Sequence, residues 1–320
     1  MKIKGIASII ILFALSLYTM SCTKVEQLYV SNGIYDISDI DKDIVYSLKG
    51  SWAYAEKEFV SPIMPLEIYT HFQPIEFGWT TYTPPQPVQG YASYAVRIRG
   101  FEPQKVYAIH FTRTSSAFTV YLNGNLFYTS GTPGKNFKEE IFDWHADTVI
   151  LPLNNETEAT IVVHLSNFHD RNPGVETPFL FGLYSTLQTK IVLDKLVSSG
   201  IFSILFSMAT FFISLFLFYR RETTAGLFGL LCYSFAIRTL CYNDFLLRDF
   251  FPNVSTNIMY RLGYFTFPFC AVFTFLFILN LFIKKPPKVF YFLTIPLILY
   301  GLITLITPIP VFVGILLIVQ

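Results

Sequence analysis

Charge is scarce in this chain. Of its 320 residues only 14% are Asp, Glu, Lys or Arg, while 52% are hydrophobic and the mean hydropathy is +0.47. A soluble domain carries roughly 25% charged residues, so a large part of the chain belongs in lipid. The net charge of +1 supplies no field of one sign, which argues against a nucleic-acid partner. Cysteine is scarcer still: Cys22, Cys232, Cys241 and Cys270. Only Cys22 lies in the first half, so there is no disulfide framework to read there. The other three fall in apolar runs, where cysteine packs as a small hydrophobe. Enzyme signatures are missing too: no G-x-S-x-G, no H-E-x-x-H and no phosphate loop. The expectation is a non-enzyme with no cofactor and no metal site.

What is present divides the chain near Lys190. The length suits about two domains. Residues 1–21 have the form of a secretory signal: Lys2 and Lys4, an apolar stretch from Gly5 to Tyr18, then Thr19-Met-Ser-Cys22. A small residue before a cysteine is similar to a bacterial lipoprotein cleavage site, which makes Cys22 a lipidation candidate. Ordinary cleavage nearby and an uncleaved anchor remain open; in all three cases the residues after Cys22 are exported.

Residues 28–187 carry short alternating segments: Tyr91–Arg99, Val106–Phe111, Ala117–Leu122, Asn125–Tyr128, Thr148–Leu151 and Thr160–Leu165. Each is rich in β-branched and aromatic residues and is bounded by Gly, Pro or Asn, the pattern of strands. Asn123-Gly124 between two of them predicts a type I′ hairpin. The expected fold is an antiparallel β-sandwich, with alternate side chains buried between two sheets.

Residues 188–195 are expected to be a short linker, and 196–320 a helical membrane region. Four apolar runs, 196–219, 225–247, 258–283 and 289–306, meet or nearly meet the ~20 residues that span a ~30 Å core; a fifth begins at 311. Arg220-Arg221 follow the first run and Lys284-Lys285 and Lys288 the third, whereas the other two loops carry little or no positive charge. By the positive-inside rule the first and third loops are cytoplasmic and residues 28–187 are extracytoplasmic. The expected location is a bacterial inner membrane. Arg238 sits well inside the second run, where a charge costs ~2.5–3.5 kcal/mol on insertion scales. It should pair with Asp244, Asp249 or backbone carbonyls, either as a switch contact or as packing glue.

The order of several motifs resembles a known family. Gly33-Ile-Tyr-Asp-Ile-Ser38, Leu48-Lys-Gly-Ser-Trp52-Ala-Tyr54, Phe59-Val-Ser-Pro62, Trp79 and Gly90-Tyr-Ala-Ser-Tyr94 are followed by Val120-Tyr-Leu-Asn-Gly124, Gly131-Thr-Pro-Gly134 and His164-Leu-Ser-Asn-Phe-His169. This resembles the extracellular domain of bacterial seven-transmembrane receptors with diverse intracellular signalling modules. Arg220-Arg221-Glu222, Ala236-Ile-Arg238 and Arg261-Leu262 fit the membrane region of the same family. The resemblance implies a jelly-roll, galactose-binding-like ectodomain, a carbohydrate or small polar ligand, seven spans and a cytoplasmic output module. This chain stops inside the fifth run, so the expectation is a receptor fragment or a truncated gene. Expected partners are the bilayer, the ligand, and a cytoplasmic signalling partner or a second copy of the chain. The alternative is a membrane-anchored glycan-binding or adhesion module without signalling output.

Candidate ligand contacts lie mainly on the loop Asn167-Phe-His-Asp-Arg-Asn-Pro-Gly174, which directly follows an apolar strand. Asn167, His169, Asp170 and Arg171 gather an amide, an imidazole, a carboxylate and a guanidinium on one segment, and loops on a rigid scaffold are where recognition concentrates. Trp79, Tyr91 or Trp144 could stack on a sugar face. The same loop also reads as a solvated turn in which Asn167 and Asp170 bond their own backbone. Asp143-Trp-His145-Ala-Asp147 invites a metal reading, but no second histidine lies at a diagnostic spacing. Glu139-Glu140 with Asp143 is a weak carboxylate cluster.

Overall fold

The computed structural model describes residues 25–319, apart from 31, 77, 113, 144, 176, 243–244 and 283–287. The expected signal segment, Cys22, Trp144 and Asp244 lie outside the described residues. The chain separates into two compact units, Met1–Leu193 and Asp194–Gln320.

The first unit is a sheet domain of eleven strands: β1 (Val25–Val30), β2 (Ile34–Asp36), β3 (Val45–Glu56), β4 (His71–Pro74), β5 (Gly90–Arg99), β6 (Tyr107–Phe111), β7 (Ala117–Leu122), β8 (Asn125–Ser130), β9 (Asp147–Ile150), β10 (Glu158–Asn167) and β11 (Leu180–Leu183). One sheet runs β8-β7-β10-β5-β3-β4; the other runs β9-β6-β11-β3-β1. β3 belongs to both. Its first half pairs with β1 and β11, its second half with β4 and β5. The change of sheet falls at Gly50, whose φ is +97°. A Cβ there would lie 2.9 Å from the Val30 backbone, so both the conformation and the close approach demand glycine.

All six expected strand segments are present, within a few residues at their ends. Asn123 and Gly124 both have positive φ, at the turn that joins β7 to β8. Two strand pairs, β1 with β3 and β2 with β5, are parallel, which the expectation of a purely antiparallel sandwich lacked. Between the sheets lies an aromatic core of Tyr35, Trp52, Tyr94, Phe111, Phe118, Phe179 and Phe181, all essentially buried. Trp52 is fixed within it, donating its indole N–H to the Tyr35 hydroxyl at 2.9 Å.

The second unit is helical and apolar. The helices are α1 (Tyr184–Phe218), α2 (Thr223–Tyr242), α3 (Leu246–Phe250), α4 (Thr256–Phe282), α5 (Lys288–Ile306) and α6 (Ile309–Val319). Among the described residues, α1, α2 and α4 are long and apolar enough to cross a membrane. Residues 188–195, expected as a linker, are helical and continuous with the first apolar run. The reason is local: Tyr184–Phe218 contains no proline, and its single glycine, Gly200, is not a break. At 1.5 Å per residue, α1 is about 52 Å long, more than a hydrocarbon core requires. The second run ends earlier than expected, at Tyr242, and short α3 follows it.

Within the second unit, Arg238 on α2 donates to the Gly263 carbonyl of α4 at 3.2 Å. Its guanidinium also lies over the Tyr242 and Phe267 rings, at 4.5 and 5.5 Å from their centroids. A backbone carbonyl and two aromatic faces therefore receive the charged end of this half-buried side chain. Asp249 is instead bound by Lys195 of α1, at 2.9 Å.

Candidate functional site

The candidate residues gather at one end of the sheet domain. β10 ends there at Asn167, opposite Gly90 at the start of β5, and β7 begins there at Ala117. Three loops close this end: residues 75–89, 131–146 and 168–179. They are packed closely. Gly78 comes so near the Pro173 carbonyl that a Cβ would lie 2.6 Å from it. Chain direction puts this end away from Leu183, the last residue of β11.

Asn167 and Asp170 build the loop. Asn167 is fully buried; its amide donates to the Val88 carbonyl at 3.0 Å and to the Asp170 carbonyl at 2.8 Å. The Asp170 amide returns a bond to the Asn167 side-chain oxygen at 3.2 Å, and the Asp170 carboxylate accepts the Asn172 amide at 2.9 Å. Such local bonds are the ordinary use of Asn and Asp in turns. Arg171 is half-buried on the same loop.

His169 is held by a residue that spacing alone does not connect to it. Its Nδ1 lies 2.7 Å from Oε1 of Glu140, a carboxylate whose side chain is 0% exposed. Glu140 also accepts the Phe168 amide at 3.1 Å and the Ser166 hydroxyl. Ser166 in turn accepts the Gly134 amide at 3.1 Å. A buried carboxylate is tolerated when donors surround it, and three donors do so here. The imidazole stacks on Phe137 at 4.4 Å and on Phe142 at 6.0 Å. Glu140 lies 29 residues from His169 in sequence, so no local pattern could have revealed the pair.

Trp79 and Tyr91 meet in one shallow cleft of about 10 Å³, lined also by Tyr54, Glu56, Lys57, Gln86 and Gln89. Trp79 is almost fully buried, with its indole N–H bonded to the Pro87 carbonyl at 2.6 Å, so it offers an edge rather than a face. Tyr91 is half-buried and packs on Phe59 at 5.0 Å. Burial pushes the Tyr54 hydroxyl well above its ordinary value, with Glu56 adding to the shift. The cleft therefore presents a neutral phenol, two amides, aromatic edges and the Glu56–Lys57 ion pair. Gln86 and Gln89 were not among the expected contacts; nothing in their spacing marks them.

The other candidates separate. His145 pairs with Asp143 at 2.7 Å, while Asp147 accepts the Tyr128 hydroxyl at 2.8 Å. Among the described residues no group of three or more His, Cys, Asp or Glu side chains could hold a metal ion. His164 lies on the outer face of its sheet, bonded to the Val60 carbonyl at 2.8 Å and stacked on Phe59 at 5.0 Å. Burial lowers its pKa from the ordinary 6.5.

Solved structures similar to this chain include a Faecalibacterium prausnitzii β-glucuronidase, at 14% identity and TM-score 0.33, over 44% of this chain and 31% of that one. An uncultured Clostridium sp. β-glucuronidase aligns at 14% identity and TM-score 0.33, over 43% and 29%. A putative β-galactosidase from Bacteroides fragilis aligns at 14% identity and TM-score 0.32, over 43% and 22%. The chain thus spans under a third of each of these proteins. No curated protein sequence matches it. Residues 194–320 match the family described as 7TM diverse intracellular signalling, which supports the resemblance of the chain to that receptor family.

Proposed function

We propose that this chain is the sensing and membrane part of a signal-transduction receptor, in which the sheet domain binds a carbohydrate or small polar ligand and biases the helical bundle. The observation that carries the reading is the pairing of a separate sheet domain with a helical unit of the 7TM signalling family. In this reading the sheet domain is a jelly-roll exported across a bacterial inner membrane, and output comes from a cytoplasmic module or partner. The ligand site is the loop-closed end of the domain. The Trp79–Tyr91 cleft with Gln86 and Gln89 supplies amides and aromatic edges, and His169 and Arg171 stand on the neighbouring loop. A ligand there moves the bundle only through its differential affinity for two states.

The test is a thermal-shift screen of the full chain in nanodiscs against mono- and oligosaccharides, repeated with Tyr91→Ala and Gln86→Ala. A sugar that raises the midpoint of the parent chain and not of the variants supports the reading. A panel without any shift, or a shift that both variants retain, sinks the assignment of ligand class and site.

A further inference from the structure

The turn between α5 and α6 is held from a third helix. At the end of an α-helix the last carbonyls lose their main-chain donors. The usual remedy for a carbonyl in this position is the amide one residue past the cap, four residues along the chain. For Thr304 that residue is Pro308, which has no N–H. The neighbouring Thr307 amide is already bonded to Ile303, at 3.0 Å. Into this gap reaches Arg261 of α4, whose Nη1 donates to the Thr304 carbonyl at 2.8 Å. Its Nε is anchored on Asn257, one turn back on α4. The guanidinium also lies 5.9 Å from the centroid of Phe312 on α6, and the Tyr264 ring of α4 packs on the same phenylalanine at 5.3 Å. The Tyr300 hydroxyl of α5 closes the turn by donating to the Phe312 carbonyl at 3.2 Å. One side chain thus touches three helices at a proline-interrupted turn.

We propose that Arg261 is a clamp that replaces the missing Pro308 amide and fixes where α6 turns back against α4 and α5. Withdrawing this one side chain loosens the α5–α6 turn without breaking any main-chain bond, while the Tyr300 bond to the Phe312 carbonyl stays in place. A guanidinium suits this role because its planar fork serves two acceptors and a ring face together. The inference rests on the helical unit alone and does not depend on the ligand reading.

The test is a double-mutant comparison read by amide hydrogen exchange of peptides covering residues 301–313, with the full chain in nanodiscs. Arg261→Met should speed exchange there about tenfold, as expected for a lost charge-assisted hydrogen bond, and leave α2 unchanged. Pro308→Gly restores an N–H and a residue suited to the helix end. In that background Arg261→Met should change exchange by less than about twofold. Arg261→Lys keeps the charge without the fork and should fall between, so it carries the same comparison if Arg261→Met fails to insert. An unchanged rate in Arg261→Met, or an equal increase in both backgrounds, overturns the clamp.

Discussion

At the scale of single residues, one buried carboxylate ties the loop end together. Glu140 is enclosed by the Ser166 hydroxyl, the Phe168 amide and the His169 imidazole. Glu140→Ala leaves these donors without an acceptor, and a lost buried partner costs about 2–3 kcal/mol. A lowered urea midpoint of the sheet domain is the expected result, with Glu140→Gln falling between. His164 makes a different prediction. Its pKa is depressed by burial, with the bond to the Val60 carbonyl opposing the shift. Below pH 6.5 the unfolded chain therefore holds more protons at this position than the folded one. Its contribution to stability is complete above that pH and is lost as pH falls through the folded value. In His164→Gln the amide can still donate to Val60 but does not titrate. Its urea midpoint should consequently fall less than the parent's between about pH 7.5 and about pH 5. Parallel losses in the two proteins would rule out His164 as the group responsible.

At the scale of elements, legibility followed local pattern. The strands β5, β6, β7, β8, β9 and β10 alternate or are β-branched and bounded by breakers, and each could be read directly. β3 could not, although it is the longest strand at twelve residues. Lys49, Gly50 and Ser51 interrupt its alternation, because it leaves one sheet and joins the other there. Gly50→Ala forces a Cβ onto the Val30 backbone at positive φ. It should destabilise the sheet domain by about 1–3 kcal/mol, seen as a lower thermal midpoint by circular dichroism. A variant as stable as the parent would mean that the β3 corner relaxes freely. Residues 188–195, expected as a short linker, are helical. Helix continuation needs only the absence of a breaker, and Thr186–Lys195 has none.

At the scale of the whole molecule, the positive residues after α1 and near the start of α5 predict which loops face the cytoplasm. With cysteine substitutions, Ser255→Cys should react with a membrane-impermeant maleimide in intact cells, and Glu222→Cys only after permeabilisation. The native Cys232, Cys241 and Cys270 are buried. Equal labelling of both sites would overturn the orientation. The sequence alone determined the division into a sheet-rich half and an apolar helical half, because periodicity and hydropathy are properties of neighbouring residues. It also marked Arg238 as a charge needing a partner, and Asn167-Phe-His-Asp-Arg171 as a polar loop. Only the tertiary structure decided the partners. Arg238 reaches Gly263, 25 residues away, and Arg261 reaches Thr304, 43 residues away. Asn167 is closed into its own loop and His169 is tied to Glu140. Such contacts are chosen by which backbone groups the fold leaves unsatisfied and which side chains it brings within reach, and neither is written in local spacing.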